Sequence, residues 1–252
     1  MKKFILIFFL FSCKNIPKDN NVFAQTPLIK LSKENLDTLK IKLDTIISDP
    51  VILEKAFIEG TIAKIDTFHT LFYAIDIGKI NIESGKIIAC DPILTRDAKP
   101  FLYSFPIGQF PVHLSIAKFG GDERIAFSRI YFSNNPVVRW EFALKEGQKQ
   151  LPIYGENSYG YSVDAGIGVF IDEKANIEFN KNDSSFTELL NETDKHTHAT
   201  WSYGIYKMNS HNVIAFSTGV GDGSYSTYIG YDSKGNPCRL LTDFGLIQWW
   251  LR

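Results

Sequence analysis

Apolar residues recur at spacings of three and four over residues 32–47, where Leu36, Leu39, Leu43, Ile46 and Ile47 share one face. Ser32 can cap the helix this predicts. Asp49-Pro50 ends it, because the residue before a proline is pushed out of the helical region. Beyond that point the period changes to two. Phe110, Val112, Leu114 and Ile116 alternate with polar or small residues, as in a strand with one buried face. Residues 79–82 and 87–90 read as strands around Glu83-Ser-Gly-Lys86, and 124–132 and 137–144 as strands around Ser133-Asn-Asn-Pro136. Residues 161–163 and 168–171 flank a glycine break. Two hairpins follow, 202–207 with 212–217 and 225–231 with 238–242. One further helix starts at Ser185, with Glu188 three residues on and Phe186, Leu189 and Leu190 on its buried side.

About nine or ten strands and two helices make this a β-rich α+β chain. Antiparallel sheets are expected, as a sandwich or an open barrel-like arrangement, with an N-terminal helix packed against them. One domain over residues 27–252 is long enough to bury a substantial core. Composition agrees: Phe (20) and Tyr (11) far outnumber Met (2), and aromatic residues favour strands. The formal net charge of −1 shows no basic excess, so nucleic acid is not an expected partner.

The first residues carry an address. Lys2 and Lys3 precede the apolar run 4–11, and Ser12-Cys13 follows at once. The run is too short to cross a bilayer, which takes about 20 residues in a helix. Residues 1–12 resemble a bacterial lipoprotein signal, with Leu10-Phe11-Ser12-Cys13 as the lipobox. The resemblance implies export to the bacterial cell envelope and a lipid on Cys13 that makes the membrane a partner. Residues 13–26 are polar, carry Pro17, and read as a flexible tether. With Cys13 lipidated, Cys90 and Cys238 remain, either as a disulfide or as two buried thiols.

Chemistry-bearing motifs are sparse. There is no Gly-x-Ser-x-Gly, no Gly-x-x-x-x-Gly-Lys, no His-Glu-x-x-His and no Cys-x-x-Cys. No cofactor or metal is therefore expected, and His196-Thr-His198 reads as a solvated loop. The densest signal is Gly219-Val-Gly-Asp-Gly223 followed by Tyr225, Tyr228 and Tyr231. Asp222 either caps its own turn or joins Tyr225 in a ligand site; the turn role is favoured. Asp91, Asp164, Asp172 and Asp222 all stand at strand ends, the usual place for Asp, although they could converge as a carboxylate site. Asp91, Asp164, Asp222 and Tyr225 are the candidate ligand-binding residues. Trp249-Trp250 is expected to be buried.

Several segments occur in an order characteristic of one family: Ser84-Gly-Lys-Ile-Ile-Ala-Cys-Asp-Pro92, Gly108-Gln-Phe-Pro-Val112, Arg139-Trp-Glu141, Val163-Asp-Ala-Gly166, Gly221-Asp-Gly-Ser-Tyr225 and Thr242-Asp-Phe244. Over about residues 84–244 the chain resembles the bacterial domain of unknown function 4241, whose Gly-Asp-Gly-x-Tyr block is its most specific part. It departs in having Gly160-Tyr-Ser before Val163 and in carrying the lipoprotein-type leader. The resemblance implies one domain and carries over no catalytic residue. The expected function is an exported, lipid-anchored binding or interaction protein, its protein or small-molecule ligand unspecified. An envelope hydrolase using Asp91, Asp164 or Asp222 is the alternative.

Overall fold

A strand with alternating apolar residues leaves one face to be covered, and here two antiparallel sheets cover each other. The computed structural model describes residues 50–65 and 68–250. The leader, the tether and the helix expected over 32–47 lie outside the described residues. In chain order the elements are α1 (Ile52–Lys55), β1 (Thr61–Ile65), β2 (Phe68–Ile82), β3 (Ile87–Cys90), β4 (Gly108–Phe119) and β5 (Asp122–Tyr131). Then come β6 (Arg139–Phe142), β7 (Tyr161–Val163), β8 (Ile167–Asp172), α2 (Glu173–Phe179) and α3 (Ser185–Asp194). The chain closes with β9 (Tyr203–Met208), β10 (His211–Ser217), β11 (Gly223–Tyr231) and β12 (Pro237–Asp243).

The larger sheet has the order β1-β2-β4-β5-β12-β11-β6, with β7 also paired to β11; the smaller has the order β3-β8-β10-β9. The principal core lies between them. Ile80, Val112, Leu114, Ile229 and Leu240 of the larger sheet meet Ile87, Phe170, Ile214 and Phe216 of the smaller. Each such side chain contributes about 1.5–3 kcal/mol when fully buried. The outer face of the smaller sheet is covered by Ala175 and Phe179 of α2 and Leu189 of α3. The outer face of the larger sheet is covered by Leu53 and Phe57 near α1 and by Ile153 and Ile247 from later segments.

Asn212 of β10 stitches the sheets together. Its Oδ1 accepts the Asn81 N–H at 2.8 Å, and its Nδ2 donates to the Lys79 carbonyl at 2.7 Å. At a bulge in β2, Gly78 takes φ +115°, and a Cβ there would stand 2.7 Å from Ile205 Cδ1 of β9. Glycine is what lets β2 lie this close to the smaller sheet.

The strand-rich α+β class agrees with the alternation in the sequence. Among the described residues there are twelve strands and three α-helices, more than the pattern predicted. Two helices, α1 and α2, are additional; α2 begins where Asp172 caps it, accepting the Lys174 N–H at 2.9 Å. The strands at 79–82 and 87–90 fall in different sheets, so the turn between them is a crossover. Of the two alternatives for Cys90 and Cys238, a disulfide or buried thiols, the structure has free, buried thiols. They stand on β3 and β12, in different sheets, and no bridge joins them.

Candidate functional site

Two of the four strand-end aspartates, Asp91 and Asp172, serve the backbone. Asp91 is fully buried. Its Oδ1 accepts the Ile93 N–H at 2.8 Å, and its Oδ2 accepts those of Asp164 (2.8 Å) and Ala165 (2.9 Å). One carboxylate thus caps the turn after β3 and holds the β7–β8 turn. Asp172 is equally buried. Besides capping α2, it accepts the N–H groups of Glu83 (3.1 Å) and Ser84 (2.9 Å) and the Ser84 hydroxyl (2.7 Å). Charge-assisted bonds of this kind are strong, and they leave little of either carboxylate for a ligand.

Asp164 and Asp222 are exposed. Their turns are adjacent: the Gly166 carbonyl accepts the Thr218 N–H at 3.1 Å. The turn at 218–223 is held by other residues than Asp222. Thr218 Oγ1 donates to the Gly221 carbonyl at 2.8 Å, and the Tyr225 hydroxyl donates to the same carbonyl at 2.6 Å. Tyr225 is 6% exposed, and its ring stands edge-on to Phe244 at 5.2 Å. Backbone bonds therefore tie the turns that carry Asp91, Asp164 and Asp222, and Tyr225 with them, into one neighbourhood. His196 and His198 are exposed, stacked on Tyr203 and Trp201 respectively.

Beside these turns lies a narrow cavity lined by Lys145, Tyr161, Tyr225 and Thr227, of ≈ 10 Å³, enough for one water. Lys145 Nζ donates to the Ala89 carbonyl at 3.3 Å, and burial lowers its pKa. Burial pushes the neighbouring Cys90 thiol up to about 12. A thiol in that state is no nucleophile at neutral pH. Burial also raises the Tyr161 pKa.

A larger cleft of ≈ 240 Å³ opens where β12 ends. Its walls come from β11 (Ser224, Ser226, Tyr228), from the segment before β7 (Glu156, Asn157) and from the C-terminal segment (Trp250). Asp243 sits in it with 4% of its surface exposed. Oδ1 of Asp243 accepts the Gly245 N–H at 2.8 Å, and Oδ2 accepts Trp249 Nε1–H at 2.7 Å. Burial outweighs those two bonds and pushes the Asp243 pKa up to about 7. Burial, and then the Asp243 charge, push the Tyr228 phenol up as well. Trp249 is fixed by edge contacts with Tyr154 (5.7 Å) and Tyr228 (5.6 Å). Its ring therefore holds the tail as one wall of the cleft, and both tryptophans remain half-buried. A buried carboxylate near neutrality, in a cleft that mixes aromatic and polar groups, is the usual profile of a ligand site.

Sequence reasoning passed over Asp243. The available signal was Thr242-Asp-Phe244 at a strand end with Trp249-Trp250 close behind. Among the described residues, no group of three or more His, Cys, Asp or Glu could hold a metal ion. A family model described as "Protein of unknown function (DUF4241)" matches residues 80–242. No curated protein and no solved structure matches the chain.

Proposed function

The chain belongs to the DUF4241 family, and from that premise we propose that it is an exported, lipid-anchored binding protein whose ligand occupies the cleft beside Asp243. The cleft carries this reading: Asp243 is the buried carboxylate that faces an open space of ≈ 240 Å³. The hydrolase alternative, which used Asp91, Asp164 or Asp222, has less support, because Asp91 is committed to three N–H groups and Asp164 and Asp222 stand exposed at their turns. The anchor rests on Ser12-Cys13 after the apolar run 4–11. A single acyl chain binds a membrane only marginally, so a stable anchor on Cys13 takes a second signal.

The test is to incubate the purified full chain with an extract of its own envelope and identify what it retains by mass spectrometry. Retention of a compound that is recovered unchanged after long incubation is the expected result. Chemical conversion of that compound would establish an enzyme instead. Alkyne fatty-acid labelling tests the anchor: label should enter the wild type and be lost in Cys13→Ser. A wild type that takes no label, or a Cys13→Ser protein that still does, contradicts it.

A further inference from the structure

The cleft at the end of β12 has a charge imbalance that limits what it can hold. The two groups bonded to Asp243, Gly245 N–H and Trp249 Nε1–H, are neutral donors. A carboxylate has about four acceptor positions, so each oxygen keeps one free. The titratable groups lining the same cleft are Tyr225 and Tyr228 from β11 and Glu156 from the segment before β7. The cross-strand partner on β5 is Phe127, and β6 contributes Phe142; neither titrates. Among the described residues, no Lys, Arg or His lines the cleft.

Two carboxylates without a cation repel an anionic ligand. A neutral ligand leaves Asp243 either to take up a proton or to keep an uncompensated buried charge, which is costly in a poorly solvated site. An ammonium ion compensates it, and the faces of nearby rings add cation–π attraction that strengthens as water is excluded. Resting on the binding reading above, we propose that this cleft takes a small organic ammonium ion, with Asp243 as its counter-ion and Tyr228 and Trp250 as aromatic walls. Asn157, Ser224 and Ser226 stand at the same cleft to meet hydroxyl or amine groups on the rest of the ligand.

The test is calorimetric titration of the full chain with choline and with the neutral analogue in which carbon replaces the nitrogen. Choline should bind at least about tenfold more tightly than the analogue, as expected for a contribution of about 1.4 kcal/mol from charge. Its affinity should rise by about tenfold between about pH 6 and pH 8, because the ionised fraction of a carboxyl titrating near 7 rises by that factor. Asp243→Asn, which keeps a carbonyl oxygen for one of the two donors, should lose choline binding. If that variant fails to fold, Trp250→Ala and the pH series on the wild type still decide the matter: Trp250→Ala should weaken choline severalfold. Equal binding of choline and its analogue, or choline affinity independent of pH, overturns the proposal. So does failure of choline, ethanolamine and tetramethylammonium alike. If those amines fail while a neutral envelope compound is retained, the cation is wrong and the binding reading stands; if nothing at all is retained, both fall.

Discussion

Asp91 and Asp222 are both aspartates at turns beside glycine-rich strand ends, yet their surroundings give them opposite weights. Asp91 serves three backbone N–H groups without exposure to water. In Asp91→Asn an amide NH2 replaces one acceptor oxygen and faces donors, leaving at least one N–H buried and unsatisfied. That substitution should cost about 2–4 kcal/mol in urea unfolding, from one or two such groups at about 1–3 kcal/mol each. Asp222→Ala should stay within about 0.5 kcal/mol, because the exposed carboxylate holds nothing. A large loss for Asp222→Ala would restore the capping role that the turn sequence suggested. Asp243 has a folded pKa of about 7, above the ordinary value of 3.8. The folded state therefore retains a proton that the unfolded chain releases. Its contribution to stability is fully present below about pH 4 and is lost as the pH rises through 7. Asp243→Asn should flatten the decline in melting temperature across that window, measured in thermal melts from about pH 4 to pH 8. An unchanged slope would place the titration elsewhere.

At the scale of elements, α1 has only four residues and could not stand alone. What holds it is Glu54. Arg239 Nε and one terminal nitrogen of its guanidinium donate to the two oxygens of Glu54 at 3.1 and 3.0 Å, and Arg129 adds a bond at 3.2 Å. The guanidinium of Arg129 lies 3.8 Å over the Phe57 ring, and that of Arg239 lies 3.7 Å over the Tyr131 ring. Burial lowers the Arg129 pKa to about 10, so this arginine stays charged at neutral pH and needs its partner. Glu54→Gln should cost about 2–3 kcal/mol in denaturant unfolding. That is less than the roughly 3–5 kcal/mol for a wholly buried pair, because the Glu54 side chain is 31% exposed. A cost under about 0.5 kcal/mol would mean that α1 is held by packing alone. None of this could be read in the sequence, because the partners are 75 and 185 residues away along the chain.

Over the whole molecule, legibility followed how local each signal is. Turn residues between apolar runs marked most strands, even where both faces are buried: the two C-terminal hairpins appear as β9–β10 and β11–β12. The helix α2 was missed because it has seven residues and starts at Asp172, which also closes β8. Sheet membership was not readable either. Chain neighbours β2 and β3 part company, as do β7 and β8, and only packing decides that. The cleft at Asp243 was invisible for the same reason, since it needs β11, the segment before β7 and the returning tail together. The local glycine signal at Asp222 was visible, and it marks a turn braced by Thr218 and Tyr225. The central claim is thus a choice of place: the cleft at Asp243, with the exposed aspartates at 164 and 222 lying outside it. The most direct measurement compares envelope-compound retention by three full-length proteins: wild type, Ser226→Trp, whose added ring fills the cleft, and the double variant Asp164→Ala/Asp222→Ala. The account predicts that the wild type and the double variant retain the same compound and that a folded Ser226→Trp loses it. Retention by Ser226→Trp together with loss in the double variant would contradict it and return the site to the turns.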